Sequence, residues 1–228
     1  MSQHSIFDIA GPIMVGPSSS HTAGACKIGQ FARALFHGTP KKVTFYLHGS
    51  FGEVYHGHAT DRALLGGVMK FKTRDERMKE SFDIANQHKL EFHFVIKNLG
   101  EQYHPNTVKI VLENIHTKMS VIGSSIGGGM IKIVKINEID VNLKGRAGRF
   151  ESLVIGHEKK HNLIERLKDA IEQLKGIEVV ETQTSTFNGK AISILSLQGR
   201  RIILPEVLEL EKMEGVEFVR SLHKLEKE

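Results

Sequence analysis

The sequence predicts an α+β protein of two domains, spanning 1–147 and 150–223. Three observations carry this prediction. Helical and alternating apolar patterns are mixed along the first part of the chain. The stretch Gly145-Arg-Ala-Gly-Arg149 then interrupts them. Beyond it, strand, helix, strand, strand, helix and strand signals follow in order, the βαββαβ pattern of a ferredoxin-like unit.

In the first part, GACKIGQFARALF (24–36) reads as a helix, since Ile28, Phe31, Ala32, Leu35 and Phe36 recur at helical spacing. Gly38-Thr-Pro40 ends it. KVTFYLHG (42–49) alternates Val43, Phe45 and Leu47 and reads as a strand. GHATDRALLGGVMKF (57–71) reads as a turn and a short helix capped by Thr60 or Asp61. DERMKESFDIANQ (75–87) is amphipathic, with Met78, Phe82 and Ala85 on one face. LEFHFVI (90–96) and TVKIVLEN (107–114) alternate as strands, residues 118–137 form a hairpin around Gly127-Gly128-Gly129, and VNLKG (141–145) adds a strand.

In the second part, ESLVIGH (151–157) is a strand and NLIERLKDAIEQLKG (162–176) the clearest helix. Asn162 with Glu165 resembles a capping box there, and Gly176 closes the helix. IEVVETQTST and KAISILSLQG flank Asn188-Gly189 as a hairpin. PEVLELEKMEG carries proline in its first turn and glycine at its end, and VEFVRSL is the last strand.

Composition narrows the functional classes. The chain has 228 residues, 40% hydrophobic and 25% charged, as in ordinary globular proteins. A single cysteine, Cys26, excludes an internal disulfide and fits a reducing, cytoplasmic setting. One thiol also cannot hold an iron–sulfur cluster alone. The N-terminus lacks a basic n-region, and no run approaches the roughly 20 apolar residues of a membrane span. The net charge of +5 invites a nucleic-acid reading. That reading fails, because Lys and Arg alternate with Asp and Glu, Trp is absent, and aromatics are 7%.

The chemistry concentrates in GPSSSHTAGACKIG (16–29). Ser18, Ser19 or Ser20 caps the helix that follows. The same helix start offers unpaired N–H groups and a positive dipole end, and the small residues Ala23, Gly24 and Ala25 admit a close approach. Together with serine hydroxyls these make a seat for a small anion such as a carboxylate, with His21 beside it as acid, base or donor. A Walker loop and a nucleophile elbow are both excluded by missing residues. Two more stretches set histidines among small polar residues: Tyr55-His-Gly-His-Ala-Thr-Asp61 and Tyr103-His-Pro-Asn-Thr107. If the first is extended, His56 and His58 face one way and Asp61 orients one imidazole. A zinc site built from His-x-His is the competing reading, although the spacing matches no common zinc motif.

Ser5-Ile-Phe-Asp8 followed by GPSSSHTAGA (16–25) closely resembles the start of the β chain of iron–sulfur-dependent L-serine dehydratases. His48-Gly-Ser50, Gly57-His-Ala-Thr-Asp61, His104-Pro-Asn-Thr107 and Ser125-Ile-Gly-Gly-Gly129 resemble that family's other landmarks, in the same order. The ferredoxin-like tail stands where the two-chain form carries an ACT domain. The resemblance implies α,β-elimination of water from L-serine, giving pyruvate and ammonia, in the cytoplasm. It implies a [4Fe-4S] cluster acting as Lewis acid on the substrate hydroxyl, ligated by a partner α chain, with no metal ligand here.

The family motifs map His58 nearest to proton transfer, Asp61 orienting it, and His21 beside them as catalytic candidates. Ser18, Ser19, Ser20 and Thr22, with His104 and Asn106, map as substrate contacts. The base at Cα comes either from this chain or from the α chain. A higher oligomer through the ACT-like domain is compatible with the pattern, and a non-catalytic module binding an amino acid or anion is the alternative. Two departures stand out. Ala59 replaces the glycine usual before Thr60-Asp61, a small change if φ there is negative. Gly156-His-Glu-Lys-Lys-His-Asn162 lacks the glycine usual at an ACT helix start, which puts effector binding there in question.

Overall fold

The computed structural model describes residues 14–145 and 152–222. These form two compact units, each built on its own sheet. Ser5–Asp8, most of the Gly145–Arg149 boundary and the charged tail 223–228 lie outside the described residues.

The first unit holds a six-stranded sheet in the order β2-β1-β3-β4-β5-β6. Its strands are β1 (Lys42–His48), β2 (Glu91–Ile96), β3 (Thr107–Glu113), β4 (Lys118–Ser125), β5 (Ile131–Ile136) and β6 (Ile139–Gly145). β1 and β2 run parallel, joined by a helical crossover, whereas β1–β3, β3–β4 and β4–β5 are antiparallel. Alternation of Val43, Phe45 and Leu47 produces the buried face of β1, as the sequence pattern requires. Phe45, Leu47, Ile110, Leu112, Ile133 and Ile136 are fully buried, each contributing about 1.5–3 kcal/mol by leaving water.

Four helices accompany this sheet: α1 (Ala25–Leu35), α2 (Ser50–Val54), α3 (Thr60–Val68) and α4 (Ser81–Gln87). A π-helical turn, Ser19–Gly24, precedes α1, so the helix begins five residues before the apolar periodicity announces it. A 3₁₀ turn, Glu76–Glu80, forms the front of the predicted 75–87 helix, capped by Asp75 accepting from the Arg77 amide. α2 went unpredicted, since five residues are too few to show a period. α3 is not capped by Thr60 or Asp61. Ala59 occupies the cap position without a side-chain bond.

α1 and α3 cross at unusually close range. A Cβ added to Gly67 would stand 2.1 Å from the Cys26 carbonyl oxygen, and one on Gly29 would stand 2.4 Å from that of Leu64. Only glycine at both positions lets the two backbones meet.

The second unit is a βαββαβ fold. It contains β7 (Ser152–Glu158), α5 (Leu163–Glu172), β8 (Ile177–Phe187), β9 (Lys190–Gly199), α6 (Leu204–Glu211) and β10 (Val216–Leu222). The sheet order β10-β7-β9-β8 agrees with the ferredoxin-like prediction. Leu163, Leu167 and Ile171 of α5 and Val207 and Leu210 of α6 pack with Leu153, Ile155, Leu195 and Val219 of the sheet. Asn188 and Gly189 both have positive φ, 48° and 76°, the geometry of a tight two-residue hairpin. The expected capping box at α5 is absent. Asn162 makes no side-chain cap bond and instead takes the left-handed conformation, φ 59° and ψ 8°. Asn tolerates that region better than most residues, so the backbone here adopts a shape that glycine would also favour.

Candidate functional site

The Gly-Pro break and three serines set the start of the π turn. Ser18 is the N-cap: its side chain accepts from the His21 amide at 3.1 Å, while its carbonyl accepts from the Thr22 and Ala23 amides. Ser19 and Ser20 therefore stand in the first turn of a long helical segment, where N–H groups have no intrahelical acceptor. Ser18 Oγ and Ser20 Oγ lie 3.2 Å apart. The serines thus cap the helix and crowd its positive end with hydroxyls.

His21 projects from this turn between two hydroxyls. Its Nδ1 lies 3.2 Å from Ser20 Oγ and its Nε2 lies 2.9 Å from Ser50 Oγ. A hydroxyl donates or accepts, so either neutral tautomer of the ring is satisfied. Burial, and secondarily the nearby His58, lower the His21 pKa below its ordinary 6.5, which favours the neutral ring at neutral pH.

Ser50 arrives at His21 because β1 ends at His48 and the chain turns sharply at Gly49 into α2. Gly49 has φ 54°, and a Cβ there would stand 2.8 Å from the Pro105 carbonyl oxygen. The same contact brings the His104–Thr107 bend to the head of α2. That bend is internally tied: the Asn106 amide donates to His104 Nδ1 at 3.1 Å, and Thr107 Oγ1 donates to the His104 carbonyl at 2.6 Å. His104 itself is exposed, and Asn106 is partly buried.

His58 follows α2. Residues 55–59 form a turn rather than the extended segment the His-x-His spacing suggested, so His56 and His58 do not share a direction by strand alternation. The His58 ring lies 5.1 Å from that of His21, centroid to centroid. Its carbonyl accepts from Thr22 Oγ1 at 3.0 Å, which ties the two motifs together. Among the described residues, His58 Nδ1 is buried without a hydrogen-bond partner. Asp61 does not orient His58 as expected. Its carboxylate accepts from His56 Nδ1 at 2.9 Å and from the Arg62 amide at 2.7 Å. The reason is the turn: it points the 74%-exposed His56 side chain back onto the 4%-exposed Asp61.

Ala59 has φ 54° and ψ 30°, a left-handed conformation. The condition under which alanine would be a small change from glycine is therefore not met, and this position carries some backbone strain.

One group was missed as a site element. Ser125, at the end of β4, donates its amide to the Asn106 carbonyl at 2.9 Å. Its hydroxyl is buried, has no partner among the described residues, and lies against Gly24 of the π turn. Only the Ser-Ile-Gly-Gly-Gly run marked it, and that run reads first as a hairpin.

The residues of this chain do not fit an iron–sulfur cluster as ligands. Cys26 is buried in α1 with Sγ donating to the Phe71 carbonyl at 3.4 Å. Among the described residues, no group of three or more His, Cys, Asp or Glu is placed to hold a metal ion. The arrangement can seat an anion at the helix start and offer two imidazoles beside it.

Comparison with known proteins gives a consistent result. The family described as serine dehydratase beta chain matches residues 5–135. The L-serine dehydratase beta chain of Peptoniphilus asaccharolyticus is 42% identical over 198 residues, covering 86% of each chain. A probable L-serine dehydratase beta chain from Bacillus subtilis is 40% identical over 164 residues, 72% of this chain and 73% of that one. An L-serine dehydratase of Helicobacter pylori is 30% identical, matching 71% of this chain but 38% of its own length.

Proposed function

The chain belongs to the serine dehydratase beta chain family, and from that premise we propose that it is the β half of an L-serine ammonia-lyase. The whole enzyme would remove water from L-serine and release pyruvate and ammonia in the cytoplasm. A partner α chain would hold the [4Fe-4S] cluster on its own cysteines. The two domains would be 1–147, forming the site, and 150–223, an ACT-like unit for regulation or assembly.

The observation that carries this reading is the meeting of His21 and His58 at a serine-lined helix start. Ser18, Ser19 and Ser20 would receive the substrate carboxylate, where N–H groups and helix dipole favour negative charge. Thr22 would keep the His58 segment against that turn through its bond to the His58 carbonyl. His21, neutral and bracketed by Ser20 and Ser50, would hold its imidazole fixed toward the substrate. His58 would be the closest group to proton transfer, since among the described residues no partner occupies its Nδ1. Asp61 would act one step removed, by holding His56 and the start of α3. Asn106 and His104 would supply further polar contacts.

The test is anaerobic co-expression with the cysteine-bearing partner chain, assaying pyruvate from L-serine. Activity only with both chains, abolished by His58→Ala in a complex that still assembles with an intact cluster, is the expected result. Full activity from the partner alone would make this chain a regulator. Retained activity in His58→Ala would remove that residue from the chemistry.

A further inference from the structure

We propose that Lys27 is a positioning residue for substrate binding, pinning the Gly127–Gly129 loop to the helix that carries the candidate carboxylate seat. Its kinetic arm rests on the serine dehydratase reading above. Its structural arm does not.

Lys27 lies early in α1 and is buried, at 8% exposure. Its Nζ donates to the carbonyl of Gly129 at 3.0 Å. Gly129 is the last of three successive glycines with φ of 97°, 58° and 72°, a path closed to ordinary residues. Two bonds close the neck of this loop, Ile126 amide to Met130 carbonyl at 3.0 Å and Met130 amide to Gly127 carbonyl at 2.9 Å. Such bonds hold a loop shut without fixing where it leans. Three glycines give it more conformational freedom than any other tripeptide, so its direction needs an outside tie. Lys27 supplies one from α1.

The direction of this loop matters because its stem touches two site segments. The Ser125 amide holds the Asn106 carbonyl, and Ser124 Oγ lies 2.6 Å from Thr107 Oγ1. On its other side Ser125 rests against Gly24 of the π turn. The helix start, the His104–Thr107 bend and the glycine loop therefore meet through Ser125.

The experiment uses the assembled enzyme with its cluster-bearing partner, prepared anaerobically, with Lys27→Met, Lys27→Gln and Lys27→Arg. Amide hydrogen exchange over residues 124–130 is the first readout, and steady-state kinetics with L-serine the second. Expected for Lys27→Met are exchange at least about tenfold faster in that segment and a KM raised at least about tenfold. Its kcat should stay within about threefold, because binding energy shared equally by ground and transition states is expressed in KM. Lys27→Arg should recover most of both effects. Unchanged exchange overturns the tie. Lower kcat at unchanged KM overturns the positioning role, since that is what a smaller folded fraction produces. If Lys27→Met fails to assemble, Lys27→Gln carries the same two readouts. Wild-type enzyme with an intact cluster and no turnover of L-serine would reject the serine reading alone, and the exchange result would still decide whether Lys27 holds the loop.

Discussion

Gly67→Ala sets two physical effects against each other with opposite signs. Gly67 lies inside α3, where alanine is the better helix former by about 1 kcal/mol, so local propensity predicts a gain in stability. Packing predicts a loss. The new Cβ would stand 2.1 Å from the Cys26 carbonyl oxygen and 3.0 Å from the Gln30 amide nitrogen, both in α1. An ordinary carbon–oxygen approach is about 3.3 Å, so the helices must part by about 1.2 Å. Neither neighbour is a side chain that can rotate away. Overpacking of this kind costs about 3 kcal/mol, at the upper end of the usual range. Less the propensity gain, the net loss is about 2 kcal/mol, or about 4–8 °C in Tm for a domain of this size. The separation also strains the bond from Thr22 to the His58 carbonyl, since His58 closely precedes α3 and Thr22 closely precedes α1. A displacement near 1 Å at a reacting centre costs about a hundredfold in rate. Thermal unfolding of the purified chain and kcat/KM of the assembled enzyme check both parts. A Tm at or above wild type would show that the helices do not meet this closely, and would refute the reasoning.

Asp61→Asn should destabilise the chain by about 1–2 kcal/mol, seen as a lower urea midpoint, because it removes a buried carboxylate from the first turn of α3 and its bond to His56. Turnover should survive at above about a tenth of wild type. Complete loss of activity at unchanged stability would return Asp61 to direct contact with the chemistry. Acidification should weaken the fold through His21. Its folded pKa lies below the 6.5 of the free side chain, so the unfolded chain binds the extra proton first, and the contribution is complete above about pH 6.5 and lost as pH falls toward the folded value. Denaturation at pH 8 and pH 5.5 should show a smaller decline for His21→Gln than for wild type, and equal declines would contradict this assignment. Ser50→Ala should raise KM for L-serine at unchanged Tm, because it frees His21 Nε2 without opening a sizeable cavity. Unaltered kinetics would show that the Ser50 bond does not orient the ring.

Much of the fold is legible because its signals are local. Alternation in β1 and β3 and the stripe of Leu163, Leu167 and Ile171 each arise within one element and need no tertiary knowledge. The ferredoxin-like order follows from six such elements in series. What escaped were features set by neighbours. The π turn at Ser19–Gly24 has no apolar period, and its shape depends on Ser18 capping it and Ser125 packing beneath it. Ala59 reads as a benign replacement until the turn before α3 fixes its φ at 54°.

The partner of Asp61 shows most sharply where sequence spacing stops being informative. His56 and His58 are equally plausible partners by distance along the chain, and a strand would have presented both alike. The chain instead turns over residues 55–59, and Ala59 at the end of that turn is left-handed, just before α3. That turn gives His56 to the carboxylate and leaves His58 against His21, with Nδ1 unclaimed among the described residues. The separation has a chemical consequence. An imidazole bound to a buried carboxylate has its tautomer and direction already set, whereas one without that bond can answer to whatever enters the site. On the reading proposed above, His58 would be the ring that exchanges a proton with substrate, and His56 the one that secures the turn presenting it. Exchanging these roles, with His56→Ala abolishing turnover and His58→Ala leaving it intact, would mean that the reacting face lies on the exposed side of this turn.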